Sequence, residues 1–237
     1  MKTIHHPASK RGGAHHGWFK SKHTFSFADY YDPSRVGFGA LKVINDDHVE
    51  GGHGFGSHSH KNMEIVTIPL SGTLIHENNM GNKSTISAGD IQVMSAGTGV
   101  THSEMNASKD TPVKFLQIWI EPNKKNVKPR YQQVSIINLL NRNQFNQVLS
   151  PNVDDAGVWI HQNAWFHVGV FDAGMTKTYT LNDTSNSVYV FVISGSVVSD
   201  DHVLQPRDGL GITETDKFTM DVIASAQVLV MEVPVTH

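Results

Sequence analysis

The sequence predicts an all-β fold made of two tandem β-barrels. Short runs rich in Val, Ile, Thr, Phe and Tyr are separated by Gly, Asn, Asp and Pro along most of the chain, as is typical of sandwiches and barrels. The segment "LSGTLI" at 70–75 recurs as "ISGSVV" at 193–198, and "SAGDIQVM" and "QPRDGLGIT" follow the two copies at similar spacing. With 237 residues, the chain has room for two such domains.

The individual elements follow from the same patterns. The segment "EPNKKNVKPRYQQ" at 121–133 contains two prolines and no apolar periodicity, and it predicts a connector. Apolar residues between 139 and 149 are spaced as in one short amphipathic helix, which Pro151 ends. We therefore expect an N-terminal domain at 1–133, a C-terminal domain at 134–237 and a short helical connector between the barrels. Strands are predicted at 63–70, 72–76, 91–94, 115–120, 165–171, 187–194, 209–213, 218–223 and 227–233.

The composition restricts the chemistry that is available to the chain. There is no cysteine, so disulfides, thiolate metal sites and cysteine nucleophiles are excluded, and a bound metal would need histidine and carboxylate ligands. A net charge of -3 gives no basic surface for direct nucleic-acid binding. The sequence has neither a membrane-spanning apolar run nor the apolar core of a secretory signal, and we expect a cytoplasmic monomer.

Two pairs of metal-capable side chains have the spacing that places them on one face of a strand. His58 and His60 are two residues apart, as are His102 and Glu104, and glycine-rich segments precede both pairs. Among 15 histidines a single His-x-His pair is expected by chance, so the doublet alone is equally compatible with a solvent-facing strand end. Together, the two pairs could supply three imidazoles and one carboxylate to a divalent metal.

These residues resemble the two conserved motifs of the cupin superfamily. The first motif is matched by Gly52, His58, His60, Glu64 and Gly72, although seven residues instead of six separate the glutamate from the closing glycine. The second motif is approximated by Gly89, Gly97, His102 and Asn106, with Ser95 where proline is common and two extra residues before the histidine. These departures, the glutamate at 104 and the segment 11–47 resemble the pirin branch, especially bacterial pirin-like quercetin dioxygenases.

The resemblance to pirins implies a bicupin, with two double-stranded β-helix (jelly-roll) barrels and one metal in the N-terminal barrel. It implies the ligands His58, His60, His102 and Glu104 and iron as the usual metal, while manganese, cobalt, nickel, copper and zinc are also compatible with these ligands. In many cupins the first-motif glutamate is a ligand, so Glu64 is the alternative carboxylate, and a break in register at Lys61–Met63 would decide against it. In the second copy, Leu181 and Asp183 replace the His-x-His pair.

The resemblance also implies an enzyme. The activity would be quercetin 2,3-dioxygenation, in which O2 opens a flavonol ring with release of carbon monoxide, and Glu104 would act as the catalytic base. A second hypothesis is a non-enzymatic metal-binding regulator that acts through protein-protein contacts, because both functions need the same four side chains. A third hypothesis, a storage-type bicupin without metal, is disfavoured by the intact set of ligands.

Overall fold

The computed structural model describes residues 1–235 as an almost entirely β protein. Within these residues, no helix has the length and hydropathy needed to cross a bilayer. The two helical elements are single 3-10 turns, η1 (Ala8–Lys10) and η2 (Ile137–Leu139). The first twelve strands are β1 (Lys2–His6), β2 (Gly12–His15), β3 (Phe19–His23), β4 (Leu41–Val49), β5 (Gly54–His60), β6 (Glu64–Ser71), β7 (Thr73–Asn78), β8 (Lys83–Ser87), β9 (Asp90–Ser95), β10 (Val100–Asn106), β11 (Val113–Ile120) and β12 (Arg130–Ser135). The remaining strands are β13 (Phe145–Ser150), β14 (Val158–Trp159), β15 (Trp165–Phe171), β16 (Thr176–Thr180), β17 (Asn186–Ser199), β18 (His202–Leu204), β19 (Gly209–Thr213) and β20 (Lys217–Pro234).

The N-terminal barrel is formed by two sheets. Seven strands pair in the order β12-β9-β6-β11-β4-β3-β2, and four strands pair in the order β5-β10-β7-β8. Val49 and Phe115 of the larger sheet pack against Leu74 and Ile86 of the smaller one. Because side chains alternate along each strand, one face of the larger sheet lines the barrel and the other faces away from it.

The C-terminal barrel is a single sheet that curves around its own apolar interior. Its strands follow the order β1-β19-β17-β20-β15-β13-β14, with β16 paired to β20 and β18 paired to β17. Several register shifts occur between β17 and β20, where bulges allow these long strands to bend. Val188, Val190, Leu210 and Val230 are buried in this interior.

The two barrels are joined by an apolar layer and by an exchanged strand. Outward-facing residues of the larger N-terminal sheet, among them Ile44 and Leu116, form one buried cluster with Phe166 and Phe191 of the C-terminal sheet. Strand β1 pairs antiparallel with β19, so the first strand of the chain lies in the C-terminal sheet, whereas β12 pairs with β9 of the N-terminal sheet. The division at residue 133 stays a prediction.

The predicted strands and the internal repeat are confirmed, except that the two strands predicted at 218–223 and 227–233 form one continuous strand, β20. Gly72 and Gly195, which are equivalent in the two copies, have φ of 78° and 74°, and both lie where the chain bends after the repeated strand. The following turns also match, since Asp90 accepts a hydrogen bond from Ser87 N and Asp208 accepts one from Gln205 N, both at 2.9 Å. The residue before each aspartate has a positive φ and is Gly89 in the first copy and Arg207 in the second.

The predicted amphipathic helix at 139–149 is wrong. The structure has one 3-10 turn at Ile137–Leu139, a turn in which Asn143 has a φ of 60°, and then strand β13. Asn146 donates hydrogen bonds to the carbonyls of Asn141 and Val168, which favours the turn and the strand over a helix. Val148 and Leu149 are buried in the layer between the barrels, so tertiary packing explains the apolar residues that suggested a helix.

Candidate metal centre

The pairing of two strands brings the predicted histidines together. His58 and His60 alternate along β5, and His58 is directly opposite His102 of β10 in the antiparallel register. A register shift follows between His102 and Glu104, which indicates a bulge in β10 next to the cluster. Bulges of this kind redirect a side chain near a functional site.

The ring nitrogens of His58, His60 and His102 converge. One nitrogen from each ring lies within 4.8 Å of the other two. Within residues 1–235, this is the one group of three or more potential metal-ligand atoms that lie this close together. The ring centroids are 4.4 Å apart for His58 and His102 and 5.0 Å apart for His60 and His102. His102 is buried, while His58 and His60 are partly exposed, so the cluster is open on one side.

The hydrogen bonds of the rings leave the converging nitrogens free. His58 Nδ1 lies 2.9 Å from Gly56 O, and donation to this carbonyl fixes the tautomer in which Nε2 carries a lone pair. His102 Nδ1 lies 2.9 Å from His76 Nε2, and His102 Nε2 is buried without any hydrogen-bond partner. A buried nitrogen without a partner is costly, and a metal ligand role would satisfy it.

The electrostatics favour neutral imidazoles. Burial, reinforced by His58, lowers the pKa of both His60 and His76 to about 4. Burial, together with the neighbouring imidazoles, lowers the pKa of His102 to about 2. Neutral imidazole is the form that binds metal, so these rings are ready to coordinate at neutral pH.

Glu104 is buried beside the cluster but is not part of the converging group. Its two carboxylate oxygens accept from Gln117 Nε2 at 3.2 and 3.1 Å. Burial raises its pKa, while the hydrogen bond from Gln117 and the charge of His58 oppose the rise. The structure thus places the carboxylate in the barrel interior next to the histidines, and its role as a metal ligand stays a prediction.

Glu64 lies on the face of the larger N-terminal sheet that points away from the histidine cluster. Strand β5 ends at His60, Asn62 has a φ of 48°, and β6 begins at Glu64 in the other sheet, so the register breaks between the two strands. The Glu64 carboxylate accepts a hydrogen bond from Ser95 Oγ at 2.6 Å, and burial raises its pKa to about 7. It is therefore separated from the histidine cluster.

Sequence reasoning did not identify His76, Gln117 or Trp119 as part of this site. His76 is opposite Glu104 in the register of β7 and β10, and it is fully buried. Trp119 lies edge-on to His60, with the ring centroids 5.0 Å apart. All three occur in segments that were predicted as strands, but the sequence alone does not reveal which strands become neighbours.

The barrel interior around these residues contains further polar groups. Thr67 Oγ1 donates to Gln117 Oε1 at 3.3 Å, and Asp47 is buried, with its pKa raised to about 7 by burial. In the second copy, Leu181, at the position equivalent to His58, lies in an apolar cluster. The buried polar group of the second barrel is a different one, in which Tyr179 Oη donates to the Glu232 carboxylate at 2.8 Å.

The histidine cluster fits a divalent transition metal. Three converging imidazoles match the ligand preference of these ions, and the partly exposed side leaves coordination positions for a carboxylate, water or substrate. The unpartnered Nε2 of His102 is the direct structural observation that supports this fit.

Comparison with known proteins agrees with the fold and the site. The Pirin family profile matches residues 5–120, and the profile of the quercetinase C-terminal cupin domain matches residues 147–233. The chain is 39% identical to the quercetin 2,3-dioxygenase of Escherichia coli (strain K12) over 96% of both proteins, and 38% identical to a pirin-like protein of Caulobacter vibrioides over 95% of this chain and 97% of that protein. It resembles the crystal structure of the bacterial pirin YhhW of Escherichia coli in complex with nickel(II), with a TM-score of 0.93, 37% identity and coverage of 99% of this chain and 100% of that one.

Two profiles account for most of the chain, and relatives well above 30% identity extend over nearly all of it. The chain belongs to the pirin family of the cupin superfamily.

Proposed function

We propose that this protein is a metal-dependent dioxygenase that cleaves a flavonol such as quercetin at the 2,3 position with O2 and releases carbon monoxide. The observation that carries the proposal is the convergence of three histidines beside the buried carboxylate of Glu104. The names of the relatives support the substrate class, since several are quercetin 2,3-dioxygenases.

The proposed metal ligands are His58, His60, His102 and Glu104, with one ion per chain. We expect iron, and the nickel(II) complex of a related pirin supports a divalent transition metal. When bound, such a metal supplies a Lewis acid that lowers the pKa of a hydroxyl on the substrate.

Glu104 is the proposed base that removes the proton from the flavonol 3-hydroxyl. A base of this kind must come within about 3 Å of the oxygen that it deprotonates. Gln117 Nε2 donates to both carboxylate oxygens and thereby fixes the orientation of the group. The buried surroundings exclude water from the carboxylate, which strengthens its interaction with the proton.

The rim of the cluster suits a flat aromatic substrate. Trp119 contacts His60, and the partly buried Met63 and Met80 pack with Trp119 around one small apolar cluster. Aromatic and thioether groups bind the face or edge of an aromatic ring favourably. These three side chains would hold the flavonol while Glu104 acts on its hydroxyl.

The test is oxygen uptake and carbon monoxide release with quercetin, using protein loaded anaerobically with iron. We expect one mole of carbon monoxide to be released for each mole of oxygen consumed. Glu104→Gln should lower kcat by about 100-fold to 10,000-fold, the usual contribution of a general base. Glu64→Gln is the matched control, because it makes the same chemical change at a buried glutamate outside the histidine cluster. It should keep kcat within about threefold of the unmodified protein.

Two results would contradict the proposal. Iron-loaded protein that consumes no oxygen with quercetin would favour the non-enzymatic regulator instead. Equal losses in the Glu104 and Glu64 variants would show that the carboxylate beside the histidines has no special role.

A further inference from the structure

A cleft on the outer face of the N-terminal sheet concentrates positive charge. It has a volume of about 540 Å³, and its lining combines five cationic side chains with two acidic residues in a chain whose net charge is -3. A cavity of this size is within the usual range for small-molecule sites. The cations are Arg11, Lys20, Lys22, Lys114 and Arg207.

Strand alternation separates this cleft from the candidate metal centre. Phe19 of β3 and Val49 of β4 pack in the apolar cluster inside the barrel, whereas Lys20 and Lys22 are exposed on the other face of β3. None of the three clustered histidines lines the cleft. A ligand bound there would therefore contact a different face of the sheet.

The rim of the cleft has one lysine on each side of strand β4. Lys20 of β3 and Lys114 of β11 are both paired in register with His48 of β4. Within residues 1–235, Lys20, Lys22 and Lys114 form no ion pair. These lysines therefore carry positive charge without a carboxylate partner, and an anion in the cleft would neutralise it.

The floor of the cleft is formed by two arginines that share one carboxylate. Arg207 Nε donates to Asp46 Oδ2 at 2.8 Å, and Arg11 Nη1 donates to the same oxygen at 3.4 Å. The side chain of Arg11 is only 2% exposed, and its Nε has no hydrogen-bond partner. Two guanidinium groups on one carboxylate leave an excess of buried positive charge.

The backbone conformation at Arg207 suggests that its side chain has a specific function. Its φ of 74° lies in the left-handed region, where the equivalent turn of the first copy has Gly89. A non-glycine residue in this conformation costs of order 1 kcal/mol, so an arginine here is expected only if its side chain contributes elsewhere.

We propose that this cleft binds a phosphorylated small molecule with at least two negative charges. The arginines of the floor contact the phosphate oxygens, and the lysines of the rim neutralise the remaining charge. Because Arg207 comes from the second half of the chain and the lysines come from the first, the bound anion also holds the two halves together.

The test is isothermal titration of the metal-loaded full chain with pyrophosphate and inorganic phosphate at low ionic strength, with citrate as a carboxylate comparison. We expect saturable binding of pyrophosphate that weakens as salt is added. Lys20→Gln combined with Lys114→Gln should weaken it by at least about tenfold, because two charged contacts are lost. Both lysines are exposed, so this variant should fold normally.

Two further variants serve as controls. Lys125→Gln combined with Lys128→Gln removes the same charge from an exposed loop outside the cleft and should leave the affinity unchanged. His58→Ala should also bind pyrophosphate normally, because it alters the metal centre alone. The proposal is overturned by the absence of saturable pyrophosphate binding, by citrate binding more tightly than pyrophosphate, by equal losses in the two lysine variants, or by loss of binding in His58→Ala.

Discussion

His102 is the buried member of the histidine cluster, and one of its ring nitrogens is held by a neighbouring side chain. Nδ1 contacts His76, and Nε2 points into the cluster without a partner. The ring is thus held in one orientation before any ion arrives, which reduces the entropy lost on coordination. His58 is held in a comparable way by the carbonyl of Gly56.

His58→Ala should abolish stoichiometric metal binding, because it removes one of three converging nitrogens. Elemental analysis should show about one ion per unmodified chain and close to none in the variant. His53→Ala is the control, since His53 is exposed and stacks on Trp18 outside the cluster. Full metal occupancy in His58→Ala would contradict the assignment of this residue.

Glu64 should make stability depend on pH in a specific direction. Burial raises its pKa from 4.5 to about 7, so between these values the folded state keeps a proton that the unfolded chain has released. The free energy of unfolding must then fall as pH rises through this window, by up to about 3 kcal/mol from this residue. Glu64→Gln removes this contribution, and urea unfolding of both proteins from pH 4.5 to 7.5 should show a difference that grows with pH. Parallel curves would contradict the raised pKa.

At the residue scale, the sequence predicted that the three histidines converge but not which side chains surround them. The two-residue spacing of His58 and His60 and the motif around His102 were sufficient to expect their convergence. His76 and Gln117 could not be assigned, because their proximity arises from strand pairings between distant segments. The position of Glu64 depended on the break at Asn62, which the sequence raised as a question but could not answer.

At the scale of the elements, the two glycines of the repeat show why the same bend occurs in both copies. A Cβ atom at Gly195 would lie 2.1 Å from Ser225 O, and one at Gly72 would lie 3.1 Å from Pro112 O. Both positions combine a left-handed φ with a nearby strand, which is a position that glycine alone occupies without strain.

Gly195→Ala should therefore destabilise the protein more than Gly72→Ala does. Gly174→Ala separates the two causes, because Gly174 has a φ of 81° but no heavy atom within 4 Å of the added Cβ. We expect a loss of about 1 kcal/mol for Gly174→Ala and at least about 2 kcal/mol for Gly195→Ala in urea unfolding. Equal losses in the two variants would mean that the backbone relaxes around the new methyl group.

Strand patterns were more predictable than the segment between the barrels. Runs such as 165–171 and 209–213 correspond closely to β15 and β19, because short apolar runs between turn residues favour strands. The helix predicted at 139–149 was wrong, since its apolar residues are buried by contacts between the barrels rather than along one helical face. A short apolar segment cannot be assigned to a helix or a strand from its sequence unless its packing neighbours are known.

At the scale of the whole molecule, the halves are connected by more than their apolar layer. Strand β1 completes the edge of the C-terminal sheet, and His6 Nδ1 lies 2.9 Å from Tyr189 Oη in the buried layer. The Arg207–Asp46 ion pair adds a second connection at the cleft. The barrels are therefore expected to unfold together rather than independently.

Deletion of residues 1–6 should destabilise the C-terminal barrel and expose the edge of β19. We expect a lower urea midpoint and self-association detected by size-exclusion chromatography, because an unpaired edge can pair with another chain. Lys2→Gln combined with His5→Gln is the control, since it keeps the strand and its backbone hydrogen bonds. An unchanged midpoint after the deletion would show that β1 contributes little.

The exchanged strand also affects the order of events on the ribosome. The partners of β1 are residues 209–213. This strand therefore cannot pair until about 200 further residues have been synthesised. At about 5 to 20 residues per second, the wait is roughly 10 to 40 s. During this time the first barrel can already close, and β1 pairs with β19 only after residues 209–213 have been synthesised.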